Sequence, residues 1–175
     1  DCLVQDCVFS DVYSIGSIKT PRGRGSVVEN IVYENLRHQN LSHEHQDCKW
    51  FRGAIYVDEF YSHDTFDTEH PEPVDEGTSV IRNILFKNIS VETVTGNAVY
   101  LVGLLEMPLE NICLENVTAK DTTGASADLT STAITVKVNE RPITGEVTYL
   151  SDIDWKYAQS GWESVMKNQY CNGAS

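Results

Sequence analysis

The chain has 175 residues, of which 41% are hydrophobic, and its 26 Asp and Glu residues outnumber its 13 Lys and Arg residues, for a formal net charge of −13. This length is sufficient for one domain with a buried core, and no apolar run reaches the roughly 18 residues that a membrane-spanning helix needs. The acidic balance argues against a nucleic-acid-binding surface, so we expect neither nucleic acid nor a membrane as a partner.

Copies of one segment recur along the chain, and each copy alternates apolar with polar residues and carries Asn or Asp near its end. The copies are Cys2–Phe9, Val28–Leu36, Ile81–Ile89, Leu109–Val117 and Val147–Ile153, of which the first and last are weaker. Their polar anchors Asp6, Asn35, Asn88 and Asn116 are separated by 29, 53 and 28 residues. A basal period near 28 residues with longer steps is typical of a solenoid with loop insertions.

A second type of strand follows the copies. Its members are Ser17–Lys19, Gly53–Val57, Asn97–Leu101 and Thr132–Val136. The alternation in both types has the period of a strand rather than that of a helix. Two or more short strands per period, stacked on their equivalents in the next period, predict an all-β chain folded as a parallel β-helix. We expect the repeated Asn positions to stack as a ladder of side-chain amides at a bend between strands.

The whole chain, residues 1–175, is predicted to form a single β-helix domain. Residues 62–77 are rich in Asp, Glu, His and Pro, which indicates a protruding loop beside a binding groove. The aromatic residues within 155–175 predict a C-terminal cap over one end of the stack. Because Asp1 begins inside a repeat, we expect the chain to be the C-terminal part of a longer β-helix, with further coils upstream or on another chain.

The five cysteines leave two interpretations open. They are Cys2, Cys7, Cys48, Cys113 and Cys171, and they include no CxxC pair of the kind that zinc sites use. One or two disulfides with a leftover thiol would fit an oxidising compartment. Alternatively all five are reduced, and Cys113 is a small core residue.

One stretch of this acidic chain is basic. Residues 12–28 contain no Asp or Glu but do contain Lys19, Arg22 and Arg24, which is what an anion-binding cleft requires. The alternative interpretation is that Lys19 is a solvated strand-end lysine and that the two arginines only solubilise a Pro/Gly turn. The histidines at His43, His45, His63 and His70 lie in polar loops, so we predict no metal site and no cofactor.

The segment Ser17-Ile18-Lys19-Thr20-Pro21-Arg22-Gly23-Arg24-Gly25, followed by Val28-Glu29-Asn30-Ile31, resembles the Arg-Ile-Lys, Gly-Arg-Gly and Val-x-Asn-Ile motifs of glycoside hydrolase family 28, the polygalacturonases and their relatives. The later Ile55–Tyr61 resembles the strand of that family that ends in a substrate-contacting tyrosine, and the likeness covers residues 1 to 120. It implies a right-handed, single-stranded parallel β-helix of the pectin-lyase-like type. It also implies a secreted or periplasmic enzyme that hydrolyses galacturonan or rhamnogalacturonan with inversion.

The resemblance assigns binding roles but no catalytic ones. Lys19 matches the lysine that pairs with the substrate carboxylate, Tyr61 matches the subsite tyrosine, and Arg22 and Arg24 flank them as candidate binding residues. Ser17 departs from the motif arginine. The Asn-Thr-Asp, Asp-Asp and Gly-His-Gly segments of the family do not occur in these 175 residues. An inverting glycosidase needs two carboxyl groups, so we expect the chain alone to be inactive. The alternatives are a non-catalytic carbohydrate-binding β-helix and a purely structural repeat.

Overall fold

A computed structural model describes residues 1–40, 53–61, 70–93, 99–121, 126–128 and 131–136. Every regular element in these ranges is a β-strand, and none of the described residues forms a helix that could cross a membrane. The strands are β1 (Cys2–Ser10), β2 (Gly16–Lys19), β3 (Val27–Gln39), β4 (Ile55–Asp58), β5 (Val80–Thr93), β6 (Val99–Val102), β7 (Leu109–Asp121), β8 (Ser126–Asp128) and β9 (Ser131–Val136).

The two strand types of the sequence form two parallel sheets. The long strands pair in the order β1-β3-β5-β7, and the short strands pair in the order β2-β4-β6. The chain therefore alternates between the sheets, with one long and one short strand in each pass. For the residues that the structure describes, the prediction of an all-β fold with mostly parallel strands is confirmed.

Asn and Asp residues bend the long strands. Asp6, Asn35, Asn88 and Asn116 all have φ between 51° and 56°. Asn and Asp enter this left-handed region more readily than other residues with a side chain, which explains their recurrence. Each amide donates to its neighbour in the preceding strand: Asn35 to Asp6 at 2.9 Å, Asn88 to Asn35 at 3.0 Å and Asn116 to Asn88 at 2.9 Å. The predicted amide ladder is confirmed.

A second ladder marks another bend five residues earlier in β3, β5 and β7. Asn83 donates to Asn30 at 3.2 Å, and Asn111 donates to Asn83 at 2.8 Å. These three residues also have positive φ. Each of these long strands is thus three short extended segments joined at two corners, and the ladders hold corresponding corners in register.

A large part of the core lies on the inward face of the first sheet, where equivalent apolar residues stack. Ile84 and Ile112 occupy one column, and Tyr33 stacks on Phe86 in the next, with ring centroids 4.9 Å apart and planes 6° apart. Complete burial of one such side chain stabilises the fold by about 1.5–3 kcal/mol, whereas a hydrogen bond contributes a net ~1 kcal/mol. The core therefore supplies most of the stability, and the ladders fix where the chain turns.

Two sequence interpretations are wrong. The strand pattern predicts Thr132–Val136 in the second sheet, but β9 pairs antiparallel with β7 in the first sheet, as β8 does. An antiparallel return needs only a short connection, whereas a parallel one needs a long crossover. Cys113 is not a core residue: it lies half-buried on the outward side of β7 beside Leu85, because the inward positions belong to its neighbours Ile112 and Leu114.

Several predictions fall outside the described residues. These concern the weak copy Val147–Ile153, the cap at 155–175, the first part of the 62–77 loop, Cys48 and Cys171, and the histidines at 43, 45 and 63. Within the described ranges, Cys2, Cys7 and Cys113 are present as thiols. The described part of the loop, residues 70–77, is largely exposed, in agreement with its polar composition.

Candidate functional site

The candidate site lies on the outward face of the second sheet. Side chains alternate along each strand, so Ile18, Val57 and Leu101 point into the core between the two sheets. Their neighbours point outward in two registered rows, Ser17–Tyr56–Tyr100 and Lys19–Asp58–Val102. We call these six residues the outer face.

The outer face is covered over β4 and β6 but open over β2. Tyr56, Tyr100 and Val102 pack with Phe60 and Leu104 into a small apolar cluster, against which Leu105 and Met107 also pack. Ser17 and Lys19, on the edge strand β2, are exposed. A soluble ligand therefore has access to the β2 side of the face.

Lys19 and Tyr61 meet on this open side. The Lys19 Nζ lies 4.2 Å from the centre of the Tyr61 ring. Lys19 ends β2, while Tyr61 follows the turn after β4, and strand pairing brings the two segments together. An ammonium group over an aromatic face is attracted by the ring quadrupole, at about 0.5–1 kcal/mol for an exposed pair. The two binding residues predicted from the sequence are thus brought into contact.

Arg22 has carboxylate partners within the protein. Its Nε and Nη2 each donate to one oxygen of Glu106 at 2.9 Å, and its Nη1 donates to Glu72 at 3.0 Å. The Arg22 and Glu106 side chains are 15% and 4% exposed. The guanidinium carbon also lies 5.0 Å from the centre of the Phe60 ring. The structure places this predicted binding residue in a largely buried ion pair directly beside the Lys19–Tyr61 contact.

Arg24 is exposed on a turn that two glycines make possible. Gly23 and Gly25 have φ of 82° and 60°, which residues with a Cβ rarely adopt. The Gly25 amide donates to the Gly77 carbonyl at 3.0 Å, and a Cβ on Gly25 would collide with the Glu76 carbonyl oxygen. The turn is therefore docked on the loop that ends at residue 77, and it holds Arg24 in solvent near the site.

Asp58 fixes the turn that presents Tyr61. The carboxylate is fully buried, and it accepts a hydrogen bond from the Phe60 amide at 2.7 Å and one from the Tyr56 hydroxyl at 3.2 Å. The Asp58 carbonyl accepts from the Thr20 amide at 3.0 Å. Asp58 thus ties the exit of β4 to the exit of β2.

Glu59, like Glu106, is a residue of this site that sequence reasoning missed. It is fully buried, its Oε2 accepts from the Leu104 amide at 3.1 Å, and its Oε1 has no hydrogen-bond partner among the described residues. Burial raises the pKa of the Glu59 carboxyl to about 8, and the nearby Asp58 and Glu106 add to the rise. At neutral pH Glu59 therefore keeps its proton. The sequence pattern gave no sign of this, because exclusion from water is a tertiary property.

Neither Asp58 nor Glu59 can contact a ligand on the open side, because both are buried. In the described ranges no three His, Cys, Asp or Glu residues are grouped so as to hold a metal ion. The arrangement offers one exposed ammonium group next to an aromatic ring, with a second exposed cation, Arg24, on a neighbouring turn. Such a surface is suited to an anionic ligand that also has an apolar face.

Comparison of the chain with protein-family models, curated proteins and solved structures finds no match. The candidate site is therefore defined by its own geometry.

Proposed function

We propose that the chain folds as a right-handed, single-stranded parallel β-helix. The alternation of the chain between two parallel sheets supports this, because each pass from a long strand to a short strand and back would be one coil. The in-register Asn ladders support it too, since they require equivalent corners to lie directly above one another. Right-handed connection is the strong rule for parallel strands joined by a crossover.

We further propose that this β-helix is the saccharide-binding part of a polygalacturonase-like glycoside hydrolase that acts on pectic polysaccharide. The observation that carries the proposal is the contact of Lys19 with Tyr61 on the open side of the outer face. Uronate residues carry both a carboxylate, for which Lys19 provides a charge-assisted partner, and a sugar ring whose C–H face can lie against an aromatic ring. Since pectin is a cell-wall polymer, the protein would be secreted or periplasmic.

In this proposal the residues of the chain bind substrate and do not cleave it. Inverting hydrolysis needs an acid and a base about 6.5–9.5 Å apart on either side of the scissile bond. The carboxyl groups at the exit of β4, Asp58 and Glu59, are buried. Because the Asn-Thr-Asp, Asp-Asp and Gly-His-Gly segments do not occur in these 175 residues, the proposal assigns the catalytic carboxylates of the parent enzyme to residues outside them.

The alternative is a carbohydrate-binding or structural β-helix without any catalytic partner. The burial of Asp58 and Glu59 supports this alternative equally well, because the described residues on the open side of the outer face provide a cation next to an aromatic ring but no exposed carboxyl group. A binding module and the binding half of an enzyme present the same surface, so ligand binding separates both from a structural repeat.

The test is calorimetric titration with oligogalacturonate and with its methyl-esterified form, which has the same backbone without the charges. We expect the acidic oligomer to bind, and Lys19→Ala to weaken it by about tenfold or more, as loss of a charge-assisted contact should. Lys87→Ala is the matched control, because Lys87 lies on the outward side of the first sheet between Glu34 and Glu115.

Each outcome has a consequence. If added salt weakens binding by the wild type more than binding by Lys19→Ala, the result would support recognition of the substrate carboxylate by Lys19. Equal binding of the acidic and esterified oligomers would refute that role for Lys19. No binding of either would leave the structural repeat. Release of reducing ends by the chain alone would overturn the assignment of catalysis to residues outside it.

A further inference from the structure

Two cation–π contacts lie side by side at the candidate site, and they are built from the same two chain segments. Lys19 and Arg22 leave β2 three residues apart, while Phe60 and Tyr61 are adjacent after β4. Lys19 lies over Tyr61 at 4.2 Å, and Arg22 lies over Phe60 at 5.0 Å. The first pair faces solvent, whereas Phe60 is buried and Arg22 is largely so.

The buried pair is held by a third segment. Glu106 lies between β6 and β7, and its two carboxylate oxygens receive the Nε and Nη2 hydrogen bonds of Arg22 in a bidentate arrangement. This geometry fixes the plane of the guanidinium group, which a single contact would not do. Glu72 adds a contact to Nη1, but the Glu72 side chain is 57% exposed. Glu106 is therefore the principal anchor of Arg22.

We propose that Glu106, acting through Arg22, is a positioning residue for the Lys19–Tyr61 binding site. Asp58 holds the backbone of the turn that follows β4, whereas the ion pair holds the guanidinium against the Phe60 ring. The position of that ring then sets how Tyr61, the next residue, lies beneath the Lys19 ammonium group. Glu106 does not touch the ligand. The expected effect on ligand affinity rests on the proposed saccharide-binding function. The positioning of Tyr61 beneath Lys19 does not, because it is a property of the free protein.

Removal of Glu106 should release this arrangement. A largely buried guanidinium that loses its buried carboxylate is costly to keep in place, so Arg22 would turn towards water and the exposed Glu72. Arg22→Lys should have a similar effect, because an ammonium group cannot form the bidentate contact or lie flat on the Phe60 ring. The Asp58 carboxylate still caps the Phe60 amide in both variants, so the strands themselves should remain paired.

The first measurement is NMR of the protein after reductive ¹³C-methylation of its lysines. In the wild type the Lys19 methyl signal should be shifted by the ring current of Tyr61, and Tyr61→Leu identifies that signal by abolishing the shift. We expect Glu106→Ala, Glu106→Gln and Arg22→Lys to lose most of the shift. Glu29→Gln is the matched control, because Glu29 forms an exposed pair with Arg82 on the other sheet, at 2.7 Å.

The second measurement is the affinity for oligogalacturonate, which should fall about two- to fivefold in the Glu106 and Arg22 variants, the equivalent of one lost exposed cation–π contact. The shift and the affinity test different statements. If the Glu106 and Arg22 variants lose the Lys19 methyl shift but neither they nor the wild type bind oligogalacturonate, the positioning is supported and the proposed function is refuted. A retained shift in Glu106→Gln and Arg22→Lys would overturn the positioning, even if the wild type binds. Should Glu106→Ala fail to fold, these two near-isosteric variants carry the test.

Discussion

The substitution Glu59→Gln should stabilise the protein increasingly as the pH rises. Glu59 is fully buried, and burial raises its carboxyl pKa from 4.5 to about 8. Between these values the unfolded chain releases the Glu59 proton while the folded chain keeps it. In the wild type, the contribution of protonated Glu59 to stability is therefore fully present below pH 4.5 and is lost as the pH rises towards 8.

The size of the effect follows from the pKa difference. Each pH unit within this window costs about 1.4 kcal/mol, so the wild type loses about 3 kcal/mol by pH 7 and at most about 5 kcal/mol above pH 8. The glutamine side chain of the variant has no ionisable proton and removes this loss. Its oxygen can still accept from the Leu104 amide, while its NH₂ group occupies the position of the Glu59 Oε1 near Asp58 and Glu106. Any cost or gain from that amide is independent of pH.

The assay is urea unfolding of the wild type and Glu59→Gln at intervals from pH 4 to pH 9. The difference in unfolding free energy between the two proteins should grow by several kcal/mol across this range. Glu115→Gln, an exposed position on β7, controls for the loss of one negative charge from the acidic chain. A constant difference at every pH would refute the conclusion that Glu59 is buried in its protonated form.

Three further predictions concern the frame of the site. Asn88→Ala should lower the free energy of unfolding by about 2–4 kcal/mol, because it removes two ladder hydrogen bonds and forces alanine into a left-handed bend. Asn88→Gly should lower it by less, because glycine adopts the left-handed bend without strain. Burial lowers the pKa of His38 below 6.5, so the neutral ring contributes stability above pH 6.5 that is lost as the pH falls through the folded-state pKa. NMR titration of the ring and unfolding midpoints at pH 5 and 7 should both show this loss. The substitution His38→Gln should remove the pH dependence. Gly25→Ala should lower the melting temperature and displace the turn of Arg24 from Glu76, whereas Gly23→Ala, which meets no neighbouring atom, should do less.

The parts of the fold that the sequence predicted correctly are those that repeat. An Asn at the same place in successive copies is informative because the left-handed bend favours that residue and the ladder needs its equivalents stacked, so Asn35, Asn88 and Asn116 indicated both a corner and a register. The alternation of apolar residues around Ile84 and Ile112 likewise identified the inward face. The same alternation shows that Cys113 points outward, a consequence that the interpretation as a core residue overlooked.

Thr132–Val136 shows where the repeat pattern fails. An alternating strand has the same period in either sheet, and nothing in its residues states which edge it will join or in which direction. The structure pairs it antiparallel with β7. A short connection favours an antiparallel return, and β7 offers an edge with which a following strand can pair. Both conditions depend on how the preceding strands are arranged.

The candidate site divides in the same way. The residues alone indicate which strand ends carry a lysine, an arginine and a tyrosine, because residue type and strand period are local properties. The folded arrangement was needed to show that Lys19 lies over Tyr61, that Arg22 is held by Glu106 across 84 positions of sequence, and that Glu59 retains a proton. Contact between distant residues depends on which strands become neighbours, and the pKa of a carboxyl group depends on whether the surrounding chain excludes water. Both are settled only when the separate passes of the chain pack together.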